Sequence, residues 1–225
     1  MTQDKNKQAA AHAAIEHIPF DAVVGVGTGS TVNYFIEALA AIKGKIKGTV
    51  ASSHASKALL KAAKLPVMDL NYAGEVDIYI DGADEIDPHG RMIKGGGGAL
   101  TGEKIVASCA KKFICIVDEK KCVPYLGGFP VAVEVIELAR SAVARAIVKM
   151  GGSPFYREGF VSDYGHIILD VEGLVLEDPQ YIETALNQIP GVVANGIFSY
   201  QSADMALIGA KEGVDVRDFS ALKTT

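Results

Sequence analysis

The chain has 225 residues, of which 49% are hydrophobic and 22% are charged, and its formal net charge at pH 7 is −5. This composition is typical of a compact globular protein and excludes a fibrous or disordered one. The acidic balance, without any cluster of lysine or arginine, also argues against a nucleic-acid binder, because neutralising phosphates requires a basic face.

The amino terminus lacks the apolar segment of a secretory signal, and no later apolar run approaches the length of about 18 residues that a membrane span needs. The spacings between Cys109, Cys115 and Cys122 match no zinc or redox pair, and three is an odd number for disulfides. Cys109 and Cys115 lie in apolar sequence. We therefore predict a cytoplasmic protein with no membrane partner and with reduced, structural cysteines.

The first half of the chain alternates strand and helix patterns. The predicted elements are a helix over 4–17, a strand over 21–27, a helix over 30–45 capped by Ser30 or Thr31, a strand over 48–53, a helix over 53–64, strands over 67–70 and 76–83, a helix over 98–112 and a strand over 113–118. Strands that are apolar throughout and alternate with helices predict a Rossmann-like α/β fold, a parallel sheet with helices on both faces. In such sheets ligands bind beyond the carboxyl ends of the strands.

The alternation of strand and helix patterns changes near Gly127. The predicted elements are a strand over 130–136, a helix over 137–150, strands over 153–158 and 166–171, a helix over 178–189 and a strand over 191–200. This β-α-β-β-α-β order predicts a small ferredoxin-like α+β lobe. We therefore predict two domains: a main α/β domain carrying the site, residues 1–126 and 202–225, and the small domain, residues 127–201. Residues 203–216 are predicted to return to the main domain as one strand.

The loop GVGTGST, residues 25–31, lies between a predicted strand and a predicted helix. Glycines there allow the backbone to approach an anion, and the helix start supplies free N–H groups and the positive end of the helix dipole. The sequence lacks the third glycine of a dinucleotide fingerprint and the Gly-Lys pair of a P-loop. A small sugar phosphate therefore fits better than a nucleotide, although a glycine turn can also serve close packing alone.

The loop DGADEID, residues 81–87, follows a buried strand. Carboxylates at that edge are desolvated, which suits proton transfer or hydroxyl recognition. We predict that Asp81 and Asp84 point inward and that Glu85 and Asp87 are solvated loop charges. The loop lacks the oxygen-ligand spacing of a calcium site, so no metal is predicted.

The loop KGGGGALTGEK, residues 94–104, combines four glycines with the start of a helix. Its backbone N–H groups form a donor surface, and Lys94 is predicted to place a cation at the entrance to that surface. Glu103 has two interpretations, an acid that stabilises the helix N-terminus or a general base beside a pocket. On position alone the first is favoured.

Taken together, these three loops resemble the ribose-5-phosphate isomerase A family in order and spacing. The resemblance extends to FICIVDEKK, FPVAVEVIELARSAVAR and GVVANGIFS, and so it covers essentially the whole chain. It implies the interconversion of D-ribose 5-phosphate and D-ribulose 5-phosphate in the pentose phosphate pathway, without a metal or organic cofactor. It also implies a homodimer or homotetramer.

By this resemblance Glu103 is the base that moves a proton between C1 and C2, Asp81 is the acid that opens the sugar ring, and Lys94 is the cation beside the developing oxyanion. The implied substrate-binding residues are Thr28, Gly29, Ser30, Thr31, Asp81, Gly82, Ala83, Asp84, Lys94, Gly95, Gly96, Gly97, Lys121 and Lys7. Two features depart from the pattern. Gly102 stands where the family usually carries a larger residue, and the doubled lysine leaves the phosphate contact open between Lys120 and Lys121.

The sequence is also compatible with two other functions. The first is a sugar-phosphate sensor on the same scaffold that binds without turnover. It is disfavoured because the chain lacks a DNA-reading module. The second is a coenzyme A transferase with Glu103 as nucleophile. The compact, hydroxyl-rich turn at 28–31 favours a small phosphate over a long thioester.

Overall fold

The computed structural model describes residues 3–222. Its α-helices are α1 Gln3–Ala13, α2 Ser30–Ala40, α3 His54–Ala62, α4 Leu70–Ala73, α5 Leu100–Ser108, α6 Arg140–Lys149 and α7 Pro179–Asn187. Its strands are β1 Ala22–Val26, β2 Ile46–Ala51, β3 Ile78–Asp81, β4 Glu85–Ile86, β5 Met92–Ile93, β6 Phe113–Asp118, β7 Val131–Val135, β8 Ser153–Tyr156, β9 Ile167–Glu172, β10 Val192–Asn195, β11 Ile197–Phe198, β12 Met205–Ala210 and β13 Gly213–Asp218. Within the described part of the chain, no helix combines the length and apolar character needed to cross a bilayer.

The main sheet has six strands in the order β13-β12-β6-β3-β1-β2. All neighbours pair in parallel except β12 and β13, which are antiparallel. Helices α1, α2 and α3 cover one face through residues such as Phe35 and Leu60. Helix α5 covers the other face, where Val106 packs with Phe113. The predicted α/β architecture is confirmed.

The small sheet has four strands in the order β10-β7-β9-β8, and every pair is antiparallel. Val143 of α6 and Leu186 of α7 pack on one face of it. The other face, with Ala132 and Ile168, packs against Leu100 at the start of α5. This is the ferredoxin-like order predicted from the sequence. The small sheet thus packs against α5, the helix that carries Glu103.

A third sheet, β11-β5-β4, lies between the two lobes and accounts for one wrong prediction. Residues 191–200 were predicted to form one strand, but the chain changes sheet at Gly196. A Cβ atom there would lie 2.2 Å from the Lys94 carbonyl oxygen, so the close approach requires glycine. The domain boundaries given above stay a prediction, and residues 1–2 and 223–225 lie outside the described residues.

Three local predictions in the main domain were also wrong. Residues 67–70 make an isolated bridge at Val67 rather than a strand. The returning segment forms a hairpin of two strands, β12 and β13, instead of one. Neither Ser30 nor Thr31 caps α2, because the N-cap residue is Gly29, with φ of 122° and no side chain to accept a hydrogen bond.

The three cysteines are free thiols within the described residues, but the apolar sequence around Cys109 does not bury this residue as a structural cysteine. Cys109 is exposed just after the end of α5, whereas Cys115 is buried in β6. Burial raises the pKa of the Cys115 thiol. Cys109 directly follows α5, and the sequence pattern does not reveal whether the residue after the helix is buried.

The prediction that Glu85 and Asp87 are solvated was wrong. Glu85 is 5% exposed, and its carboxylate accepts hydrogen bonds from the Gly127 and Phe129 N–H groups at 2.8 and 2.6 Å. Asp87 is 2% exposed and accepts from Arg91 Nε at 2.6 Å. Both acids hold loops around the third sheet, because a buried carboxylate is tolerated where donors surround it.

Replacing Glu85 with alanine is expected to lower the free energy of unfolding by about 2–4 kcal/mol, because the partly buried N–H groups of Gly127 and Phe129 lose their charged acceptor. Urea unfolding followed by circular dichroism measures this change. Glu75 is the matched control, since its side chain is 76% exposed and only pairs with Lys111 at the surface. A Glu85→Ala loss no larger than that of Glu75→Ala would contradict the structural role.

Candidate active site

The three glycine-rich and acidic loops meet at the carboxyl edge of the main sheet, around a pocket of about 220 Å³. The pocket is lined by Gln3, Lys7, Thr28, Gly29, Ser30, Thr31, Val32, Gly82, Ala83, Asp84, Lys94, Gly95, Gly96, Gly97, Glu103, Val117, Asp118 and Lys121. Pockets for drug-sized molecules run from about 300 to 1,000 Å³, so this volume favours a small ligand. The predicted meeting of three separate segments is therefore observed.

The first loop touches the second directly through Gly27. A Cβ atom at Gly27 would lie 1.9 Å from the Asp81 carboxyl group, so only glycine allows this approach. The next residue continues the contact, because the Thr28 N–H donates to Asp81 Oδ1 at 3.0 Å. The end of β1 thus holds the carboxylate at the end of β3.

A cluster of hydroxyl groups supports the same loop. Thr28 Oγ1 donates to Ser53 Oγ at 2.7 Å and lies 3.2 and 3.1 Å from the hydroxyls of Ser52 and Ser56. Ser56 Oγ in turn donates to the Gly27 carbonyl. The hydroxyl of Thr28 is therefore occupied inside the protein, and this cluster holds the loop in shape.

The outer end of the pocket has the groups expected for an anion. Helix α2 begins at Ser30, so its unpaired N–H groups face this end. Lys7 reaches over from α1, and its Nζ donates to Ser30 Oγ at 3.0 Å. Lys121 also lines the pocket, with its Nζ 6.0 Å from the Phe129 ring centre. Lys120 is not among the lining residues.

The inner end holds three charged groups. Lys94 Nζ lies 2.8 Å from Asp81 Oδ2 and 3.3 Å from Glu103 Oε2, and it donates to the Gly82 carbonyl at 2.5 Å. Lys94 is 3% exposed and Glu103 is 4% exposed. The prediction that Lys94 stands at the entrance was wrong, because the lysine lies at the bottom of the pocket between two acids.

The Glu103 carboxylate is not satisfied by these neighbours. Its Oε2 is close to Lys94 but accepts no hydrogen bond within the described residues. Burial first, and then the negative charge of Asp81, raise the pKa of Glu103 to about 8, although Lys94 opposes the shift. A buried carboxylate that lines a pocket and has a raised pKa has the properties of a general base.

Lys94 remains charged. Burial by itself would lower the pKa of Lys94, but the charges of Asp81 and Glu103 more than offset it and raise the pKa. A stable cation beside a pocket can stabilise negative charge that develops on a ligand oxygen.

Asp81 lies behind Lys94 and does not line the pocket. Its side chain is fully buried. The carboxylate accepts from the Thr28 and Gly82 N–H groups on one oxygen, and from Tyr79 on the other. Burial and the Asp81 charge raise the pKa of Tyr79 well above its usual range, so the phenol stays a donor. Tyr79 was missed from the sequence because its alternation within IYID also fits a simple core residue.

The glycine loop is arranged by Asp84. The Gly96 N–H donates to Asp84 Oδ2 at 2.8 Å and is therefore occupied. The Gly98 N–H closes a turn on the Gly95 carbonyl at 2.9 Å. Gly97 N–H has no acceptor within residues 3–222, which leaves it available to a ligand.

The comparisons with known proteins agree with this geometry. Residues 48–213 match the family described as Ribose 5-phosphate isomerase A (phosphoriboisomerase A). The chain is 61% identical over 209 residues to ribose-5-phosphate isomerase A of Legionella pneumophila, covering 93% of this chain and 97% of that protein. The chain belongs to the ribose 5-phosphate isomerase A family.

Solved structures of this family superpose on the whole fold. The ribose 5-phosphate isomerase A from Neisseria gonorrhoeae is 48% identical, with a TM-score of 0.95 over 96% of this chain and 97% of that one. A D-ribose-5-phosphate isomerase in complex with phospho-erythronic acid is 38% identical, with a TM-score of 0.92 over 97% and 100% of the two chains.

In this member of the ribose 5-phosphate isomerase A family, glycine at position 102 has a steric reason. A Cβ atom there would lie 2.0 Å from the Ser52 carbonyl oxygen. The start of α5 is also bonded to the small lobe, because the Thr101 hydroxyl donates to the buried Glu134. Lys104, the residue after Glu103, donates to Glu183 at 2.6 Å. The helix start is thus held closely despite the glycine.

Most of the site residues that the family resemblance implied lie on the pocket; Asp81 lies behind it. Gln3 and Asp118 also line the pocket but were not predicted from the sequence, and Gln3 Nε2 donates to Asp118 Oδ2 at 3.2 Å. Asp118 ends the apolar strand β6, so the rule used for the acids after β3 would have found it. Nothing in the sequence pattern distinguishes Gln3.

Proposed function

We propose that this protein is an aldose–ketose isomerase that interconverts D-ribose 5-phosphate and D-ribulose 5-phosphate through an enediolate. The observation that carries the proposal is the buried Glu103 carboxylate, which lies beside Lys94 on the lining of a small pocket whose outer end suits a phosphate. Membership in the ribose 5-phosphate isomerase A family supports the same reaction.

Glu103 is the base in this scheme. Its carboxylate takes the proton from C2 of the open-chain aldose, and the electron pair forms the C1–C2 double bond while negative charge moves to O1. The same carboxyl group then returns the proton to C1. O2 loses its proton and becomes the ketone oxygen, and O1 gains one. One carboxylate is sufficient because the two carbons are neighbours.

Lys94 and the Gly97 N–H stabilise the oxygen charge. Fixed donors in a site shielded from water do not have to reorganise during the reaction. Asp81 holds Lys94 in place through their 2.8 Å contact. The ring-opening role that the resemblance gives to Asp81 stays a prediction.

The phosphate is assigned to the outer end, against the start of α2 and the side chains of Lys7 and Lys121. The related isomerase bound to phospho-erythronic acid, a four-carbon acid phosphate, supports this class of ligand. Binding the phosphate far from the reacting carbons supplies energy that orients the sugar. Asp84 and the hydroxyls of Ser30 and Thr31 remain the proposed sugar and phosphate contacts.

The test is a coupled assay of purified protein with ribose 5-phosphate in the presence of a chelator. We expect ketose to form at the same rate with and without the chelator. Turnover that stops on chelation and returns with added metal would contradict the metal-free scheme. Binding of coenzyme A without isomerisation would favour the transferase, and ribose 5-phosphate binding without turnover would favour the sensor.

The pH dependence of kcat/KM follows from the raised pKa of Glu103. A base acts only when it is deprotonated, so kcat/KM is expected to rise about tenfold per pH unit below about pH 8 and to level off above it. The measurement is kcat/KM from about pH 6 to pH 9.5 at constant ionic strength. A flat profile over this range would contradict the raised pKa.

The proposal extends to assembly and location. The small lobe exposes large apolar side chains, among them Leu138 at 97% and Phe155 at 55%, which supports association of this chain into a homodimer or homotetramer. Light scattering after gel filtration measures the mass, and a monomer would contradict the assembly.

Free cysteine thiols support a cytoplasmic location.

A further inference from the structure

Arg157 follows β8 in the small lobe and reaches across to the glycine loop of the main domain. Its Nη1 and Nη2 each donate to the Gly95 carbonyl at 3.2 Å, and Nη1 also donates to the Gly96 carbonyl at 3.3 Å. The guanidinium group is therefore bonded to two consecutive peptide groups of the loop. Arg157 is not among the residues that line the pocket.

The guanidinium group is itself held on two sides. Asp170 of β9 accepts from Arg157 Nε at 2.8 Å and from Nη2 as well, so the pair is bidentate. The Phe160 ring lies 5.3 Å from the guanidinium carbon and packs against Gly98, where a Cβ atom would lie 2.1 Å from the ring. A planar cation fixed by a carboxylate and a ring has little freedom to move.

The consequence for the pocket comes from peptide geometry. In a trans peptide group the C=O and N–H bonds point in opposite directions. Arg157 holds the Gly95 carbonyl from one side, and Asp84 holds the N–H of the same peptide group from the other. Arg157 also holds the Gly96 carbonyl, so the Gly97 N–H must point away from the small lobe.

Glycine needs this restraint more than other residues do. A run of four glycines has wide conformational freedom, and a peptide plane within it can flip at little steric cost. The side-chain position of Gly97 faces open space, so no neighbouring group packs against this residue from that side. The contacts from Arg157 replace the restraint that side chains would supply.

We propose that Arg157, fixed by Asp170, is a positioning residue that aims the Gly97 N–H at the oxygen on which charge develops. The inference rests on the proposed isomerase reaction. It gives the small lobe a part in catalysis, because Arg157 acts on the rate through the backbone of the main domain without contact with the sugar.

The test compares Arg157→Ala, Arg157→Lys and Asp170→Asn with wild type in the isomerisation assay. Loss of one oxyanion donor costs about 10²–10³ in kcat, and a donor that is present but poorly aimed loses part of this. We therefore expect Arg157→Ala to lower kcat about 10–100-fold while KM changes less than about threefold. Arg157→Lys is expected to fall between wild type and alanine, because an ammonium group cannot bond both carbonyls and Asp170 in a plane.

Two controls separate positioning from general damage. Arg140→Ala removes another arginine of the small lobe, which stacks on Tyr156 at 5.0 Å, and kcat is expected to stay within about twofold of wild type. Competitive inhibition by inorganic phosphate is expected to be unchanged in the Arg157 variants, since the phosphate end of the pocket is built by other elements. A deformed pocket would weaken this inhibition.

A kcat equal to wild type in Arg157→Ala, or a rise in KM without a fall in kcat, would overturn the inference. If the alanine variant does not fold, Arg157→Lys and Asp170→Asn decide the question by the same criteria. The two proposals fail in distinguishable ways. Wild-type protein that does not isomerise ribose 5-phosphate refutes the proposed function, whereas active wild type with unaffected variants refutes only the role of Arg157.

Discussion

Replacing Glu103 with glutamine is expected to lower kcat by about 10²–10⁴-fold, with KM for ribose 5-phosphate changed only slightly. Glutamine keeps the size and shape of the side chain but cannot take a proton from carbon. The loss is therefore expected in the chemical step and not in binding. Exchange of the C2 proton of ribose 5-phosphate with solvent deuterium, followed by NMR, is expected to fall by a similar factor.

The same substitution is expected to stabilise the fold at alkaline pH. The pKa of Glu103 is raised to about 8 in the folded protein from 4.5 in the unfolded chain. Between these values the folded state binds more protons than the unfolded state, so stability falls as pH rises. Glutamine removes this dependence. Unfolding midpoints of variant and wild type are expected to separate in favour of Glu103→Gln as the pH rises from about 4.5 to about 8, and to differ by a constant amount above that.

The control for Glu103 is Glu137→Gln, which changes an exposed acid three residues before α6. Its kcat is expected to match wild type. Full turnover by Glu103→Gln would show that another group is the base. A loss of activity accompanied by a lower unfolding midpoint at all pH values would show that Glu103 is structural.

Replacing Lys94 with methionine is expected to lower kcat about 10²–10³-fold, because the oxygen charge of the transition state loses its cation. Methionine keeps much of the length of the side chain without the charge. Removing one partner of a buried ion pair costs about 3–5 kcal/mol, since the remaining charges are left uncompensated. Lys94 pairs with two buried acids, Asp81 and Glu103, so the substitution removes the cation from both of them.

The pH profile of Lys94→Met distinguishes this explanation from simple unfolding. Lys94 opposes the upward shift in the pKa of Glu103, so its removal is expected to move the rise in kcat/KM to higher pH. Lys111→Met is the control, because Lys111 pairs with Glu75 and Asp77 at the surface. An unshifted profile in Lys94→Met would contradict the electrostatic coupling between Lys94 and Glu103.

Much of the fold and the meeting of the loops could be predicted from sequence. Apolar runs that end in glycine or aspartate, each followed by a helical pattern, specify parallel strands whose carboxyl ends share one edge. The β-α-β-β-α-β order specifies the small sheet in the same way. These patterns are local, because strand and helix periodicity depend on residues within a few positions of each other.

The direction and burial of charged side chains could not be predicted. Four acids, Asp81, Asp84, Glu85 and Asp87, lie within seven residues. The local sequence does not show which of them are buried and which face the pocket. The N–H groups of Gly127 and Phe129 decide that Glu85 is buried, and these lie more than forty residues away. Lys94 is buried between Asp81 and Glu103, and its backbone N–H donates to the carbonyl of Gly196, about a hundred residues further along the chain, at 2.9 Å.

The sequence by itself therefore determined which segments form the site, and the tertiary structure decided what each charged group does there. A glutamate at the start of a helix is ordinarily an exposed acid that favours the helix dipole. Glu103 is instead buried on the pocket, where the small lobe packs against Leu100 of α5 and the charge of Asp81 raises the pKa of Glu103, so that it can serve as the proposed base. Burial and charge pairing arise from contacts between distant segments, and no local pattern encodes them.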